Sequence, residues 1–253
     1  MLKIRNQIGF AEVSRKMFWD VRNLMASEVP IFDCNMNKAS YRCLPTLFRK
    51  LAGCGLLLES QINHVRLQID GHASRTSMGV ETINAFICLS HHKTKVGVEG
   101  EYHVAAFKGA ETPEQFRKNF KNFVDALCDL VRSGLVVEDG ENSITYRFKL
   151  LLCSDYAAMF KLLACGHWCA HYRCAICFFD ARRPNNEYEP RDYTKYRSSF
   201  RTSKLRKWSK EYEPMVNLDP QHFDIVPDLF HMKLNIARSI LTKVHLFPNL
   251  TTL

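Results

Sequence analysis

Apolar positions change period along the chain, and the changes divide it. Phe10, Val13, Met17, Phe18, Val21 and Leu24 recur at helical spacing, and a second short helix is expected around Leu44 to Leu51, so residues 1–60 read as a helical N-terminal layer. From His64 the period becomes two: Val65, Leu67 and Ile69 alternate with Arg66 and Gln68, which predicts a half-buried strand ending at Asp70-Gly71. Two further strands are predicted over Ile83 to Leu89 and Tyr102 to Phe107, joined by a polar loop containing Gly97 and Gly100.

A strong helix signal follows. Thr112 and Gln115 have capping-box spacing, Pro113 takes the first helical position, and Phe116, Phe120, Phe123, Val124, Leu127 and Leu130 mark one face up to Gly134. After the Asp139-Gly140 turn, Ile144, Tyr146, Phe148, Leu150 and Leu152 alternate with Thr145, Arg147 and Lys149, and the strand runs into Ser154-Asp155. A helix resumes with Tyr156, Met159, Phe160, Leu162 and Leu163, and a last apolar helix is expected over Pro227 to Leu246. The order β, β, β, α, β, α predicts an α/β fold with a mixed sheet and flanking helices.

Composition narrows the function classes. With 253 residues, 46% hydrophobic and 24% charged, the chain is globular rather than disordered or collagen-like. No uncharged apolar run reaches 18 residues, so no membrane span is expected. The first residues lack the apolar stretch of a secretory signal, so the protein is expected inside the cell, with its ten cysteines reduced or metal-bound. The 35 Lys and Arg exceed the 26 Asp and Glu, which favours nucleic acid or another anionic surface as partner.

Three sets of residues carry candidate chemistry. Asp70 and Asp155, 85 positions apart, each leave an apolar strand. If those strands are neighbours, the carboxylates could share hard divalent cations, and paired cations suit in-line phosphoryl displacement. The same residues have ordinary uses, Asp70 to open an Asp-Gly turn and Asp155 to cap the following helix. Cys174-Ala175-Ile176-Cys177 is a C-x-x-C pair able to reach one zinc ion. Its partners could come from His167, Cys169, His171, His222, His231 or His245, and the alternative is buried small thiols. Lys195, Arg197, Arg201, Lys204, Arg206, Lys207 and Lys210, interleaved with Tyr193, Tyr196, Phe200 and Trp208, suit a nucleic-acid surface or a solvated helix face.

Taken in order, Asp70-Gly71, Tyr146-Arg147-Phe148, Asp155 and Cys174-x-x-Cys177 resemble the DDE transposases of the Transib type and the related catalytic subunit of the V(D)J recombinase. The stretch Phe230 to Ala237 is similar to a segment that follows the cysteine pair in that family. The resemblance covers roughly residues 64–240. It implies a ribonuclease-H-like core over 61–166, and a cysteine-containing basic helical insertion over 167–253. It also implies that Asp70 and Asp155 are the first two acids of the triad, holding magnesium or manganese, and that Cys174 and Cys177 supply half of a structural zinc site.

DNA as substrate, a nuclear location and a homodimer follow as family expectations. The third acid, a helical glutamate, and the two histidines completing the zinc site would lie beyond Leu253, while Glu187, Glu189, Glu211 and Glu213 come too early to replace that acid. The sequence is therefore expected to be an incomplete transposase or recombinase, inactive alone. The alternatives are a non-catalytic DNA-binding module derived from a transposase, and a ribonuclease-H-like exonuclease, against which Asp70-Gly71-His72 lacks the Asp-x-Glu of many such enzymes.

Overall fold

The computed structural model describes residues 28–34, 39–73, 81–90, 101–140, 142–165, 174–177 and 213–226. Its elements are β1 (Ile31–Cys34), β2 (Ala39–Arg42), α1 (Leu44–Gly53), β3 (Ile62–Ala73), β4 (Glu81–Leu89), β5 (Glu101–Gly109), α2 (Pro113–Ser133), β6 (Leu135–Asp139), β7 (Asn142–Leu152), α3 (Tyr156–Leu162) and β8 (Phe223–Ile225). All eight strands join one mixed sheet, ordered β1-β2-β5-β4-β3-β7-β6, with β8 also on β7. The fold is α/β.

Strands β3, β4 and β5 form an antiparallel run, whereas β7 lies parallel to β3. A parallel neighbour needs a crossover, and α2 supplies it. Thr112 caps that helix by accepting the amide of Gln115 at 3.3 Å, as the capping spacing predicts. At the other end Gly134 has φ +73°, and a Cβ there would stand 2.8 Å from the carbonyl oxygen of Tyr146. Both the positive φ and the close carbonyl exclude a side chain at this junction.

The apolar face of α2 is buried under the sheet's long strands. Phe107 of β5 meets Phe116 and Phe120 edge to face, with centroids 5.5 and 4.9 Å apart, and Phe48 of α1 meets Phe148 of β7 at 5.0 Å. Val65, Leu67 and Ile69 of β3 point into this core, and the alternate residues Arg66, Gln68 and Asp70 are partly or fully exposed. The period of two read from the sequence is thus a true inside-outside alternation.

Three readings are corrected. The segment assigned to the helical N-terminal layer contains α1, but it also contributes the hairpin of β1 and β2, which pairs with β5. A strand, β6, precedes the Asp139-Gly140 turn and makes a hairpin with β7. Finally, β3 does not stop at Asp70-Gly71: both residues are paired with β4, Asp70 opposite Asn84 and Gly71 opposite Ile83, and the strand continues to Ala73. The helix expected over Pro227 to Leu246, and the one over Phe10 to Leu24, lie outside the described residues.

Candidate functional site

The parallel seam between β3 and β7 ends at the couple Leu67 and Leu152. Two hydrogen bonds carry it further. The amide of Cys153 donates to the carbonyl of Leu67 at 2.9 Å, and the amide of Ile69 donates to Ser154 Oγ at 2.9 Å. Asp70 follows Ile69 and Asp155 follows Ser154, so the acids flank one hydrogen bond. Each also stands three positions past the last paired couple. Pairing of β3 with β7 therefore sets the Ile69-Asp70 stretch of one strand beside the Ser154-Asp155 stretch that follows the other.

The two acids differ in surroundings. Asp70 is exposed on the face opposite α2, whereas Asp155 is half-buried and caps α3, its Oδ1 accepting the amide of Ala158 at 2.7 Å. The capping role open to Asp155 is thus realised. An ionised carboxylate has about four acceptor sites, so one cap does not exhaust it. The turn role open to Asp70 is not realised, because Asp70 lies within the ladder. Gly71 serves space instead of a turn: a Cβ there would stand 3.0 Å from Ile83 Cδ1 and 3.6 Å from Glu111 Oε2. Glu111 is in turn ion-paired to Lys161 Nζ of α3 at 2.6 Å.

Sequence reasoning missed the polar groups beside Asp70. Asn84, directly opposite on β4, has its Oδ1 3.0 Å from His103 Nε2 of β5. An amide oxygen only accepts, so Nε2 carries the hydrogen. The His103 ring lies 5.2 Å from Phe86, and the His103 carbonyl accepts Arg42 Nε at 3.2 Å. Partial burial, and then the nearby Arg42 charge, hold the imidazole below its ordinary value of 6.5. Nothing in the sequence marks Asn84, His103 or Ser154, because isolated polar residues on strands look like an ordinary solvent side.

The C-x-x-C segment forms a turn in which the amide of Ile176 donates to Cys174 Sγ at 3.4 Å. Cys174 and Cys177 are free thiols, as are Cys43, Cys54, Cys88, Cys128, Cys153 and Cys165. Burial pushes the Cys128 thiol up to about 11, against the opposing hydrogen bond with the backbone of Asn217.

Among the described residues, no group of three or more His, Cys, Asp or Glu side chains converges on a metal position. Of the histidines considered for the zinc shell, His222 has Nδ1 held by Asp219 at 2.9 and 3.0 Å. The others, together with Cys169, the basic residues Lys195 to Lys210 and the stretch Phe230 to Ala237, lie outside the described residues. No helix among the described residues is long and apolar enough to cross a membrane. The sequence matches no protein-family profile and no curated protein.

Proposed function

We propose that this chain is related to the ribonuclease-H-like DDE transposases and recombinases, with Asp70 and Asp155 as the first two acids of a metal site. The observation that carries this reading is the placement of the two acids at equal offsets past the β3–β7 seam, on either side of the bond from Ile69 to Ser154. Three antiparallel strands, a crossover helix and a parallel fourth strand are the order expected of that core.

The donor set fits a hard divalent cation in part. Asp70 offers an exposed carboxylate and Asp155 a half-buried one with acceptor capacity beyond its cap, and oxygen donors suit magnesium or manganese. When bound, such ions stabilise charge on the attacking and leaving oxygens of phosphodiester displacement. Asp70 and Asp155 hold them, and Asp155 is kept in place by the start of α3. Two carboxylates leave a metal pair under-liganded, so these residues alone do not support strand cleavage. Cys174 and Cys177 contribute to a structural zinc shell. Lys195, Arg197, Arg201, Lys204, Arg206, Lys207 and Lys210 contact DNA phosphates, and the setting is a nuclear homodimer.

Titration with Mn²⁺, followed by loss of the free-ion magnetic resonance signal, tests the reading. Binding by the wild type that disappears in both Asp70→Asn and Asp155→Asn is expected. A second reading, a DNA-binding module without metal chemistry, draws on the fact that Asp155 already has a structural role in capping α3. It expects salt-dependent DNA affinity that neither EDTA nor Asp70→Asn changes.

A further inference from the structure

The two strands that carry the acids leave their shared seam differently. β3 continues to Ala73, whereas β7 ends at Leu152 and the chain turns into α3 at Tyr156. In a continuing parallel ladder the amide of Ile69 would donate to the carbonyl of Cys153. It donates instead to the side chain of Ser154 at 2.9 Å, and Ser154 is only 2% exposed. The last tie between the strands is therefore made by a hydroxyl, one residue before each acid.

We infer that Ser154 is a positioning residue, which sets the separation of Asp70 and Asp155 for a shared divalent cation. The inference rests on the metal-binding reading of those acids. Asp155 is fixed from two sides, through Ser154 Oγ to β3 and through its own Oδ1 to α3. Asp70 is fixed on its far side by pairing with Asn84. The hydrogen bond between Ile69 and Ser154 is the near-side restraint joining the two positions. Without it, β7 and α3 can shift against β3 although each acid keeps its own local contacts.

A purely structural serine would satisfy a buried amide and do nothing else. Asn63 provides the comparison, because it is fully buried at the opposite end of the same seam and also ties it with its side chain. Mn²⁺ affinity and hydrogen exchange of the Ile69 amide are measured in the full 253-residue chain for the wild type, Asp70→Asn, Ser154→Ala, Ser154→Cys, Ser154→Thr and Asn63→Ala. Ser154→Ala is expected to weaken Asp70-dependent Mn²⁺ binding about tenfold or more and to speed exchange at Ile69. Ser154→Thr, which keeps the hydroxyl, retains affinity, and Asn63→Ala retains it while lowering stability.

The inference is overturned if folded Ser154→Ala binds Mn²⁺ as the wild type does, or if Asn63→Ala loses as much affinity. Should Ser154→Ala not fold, Ser154→Cys decides, since sulfur is a weak acceptor of similar reach: retained affinity overturns the assignment and lost affinity supports it. A wild type without Asp70-dependent binding removes the metal reading itself and this inference with it, a result distinct from equal binding by wild type and Ser154→Ala.

Discussion

The seam between β3 and β7 is closed by a side chain at both ends, and the two closures differ in what lies beside them. At one end Asn63 accepts the amide of Leu58 and donates to the carbonyls of Leu58 and Arg147, at 2.8, 2.9 and 3.3 Å. At the other, Ser154 makes a single bond to Ile69 and two carboxylates stand beside it. The first end is saturated with internal bonds, with the exposed Glu59 next to Leu58. The second carries an exposed Asp70 and a half-buried Asp155. Parallel pairing creates both ends, and the metal reading proposed above concerns only the second.

The largest expected effect lies at the saturated end. Asn63→Ala strands three backbone groups and should cost about 3 kcal/mol in urea unfolding, with no change in metal binding. Next comes Asp155, which has two separable roles. Asp155→Ala loses the cap of α3 and about 1 kcal/mol, whereas asparagine caps as well as aspartate. Asp155→Asn should therefore keep its unfolding midpoint and lose Mn²⁺ binding. If both substitutions keep the metal, the acidic end has no special role.

Asp70→Asn is expected to change stability by less than about 0.5 kcal/mol, since Asp70 is exposed, while abolishing Mn²⁺ binding. The smallest effect concerns His103. Its folded pKa lies below the ordinary 6.5, so the unfolded chain takes up the proton first as pH falls. The contribution to stability is present above about 6.5 and is lost as pH descends through the lowered folded value. Urea midpoints measured from pH 7 to pH 5 should show this decline, and His103→Gln should flatten it.

Much of the sheet was legible because its long strands bury one face. Val65, Leu67 and Ile69, and Phe148, Leu150 and Leu152, reveal β3 and β7 by alternation alone, and Thr112, Pro113 and Gly134 bracket α2. The missed strands are short. β1 and β2 have four residues each and β8 three, too few for a period to stand out. Asp70-Gly71 misled because Asp-Gly is a common turn pair, whereas here the glycine makes room for Ile83 and Glu111. The sequence singled out the two acids as strand exits, which holds for Asp155 beyond β7 and not for Asp70, inside β3. The serine between them was not singled out, because its role depends on a tie between residues 85 positions apart.

The crossover through α2 also orders the assembly of the molecule. The β6–β7 hairpin, turning at Gly140, brings together residues close in sequence, and such hairpins close in about 1–10 μs. The pairing of β3 with β7 must first draw in a loop of 85 residues, an entropic cost that delays contacts of long range. Newly made chains thus acquire local hairpins and helices before β3 and β7 are drawn together. If the acids take up a divalent ion as proposed, its capture is a late event in maturation and a marker of chains that have completed it.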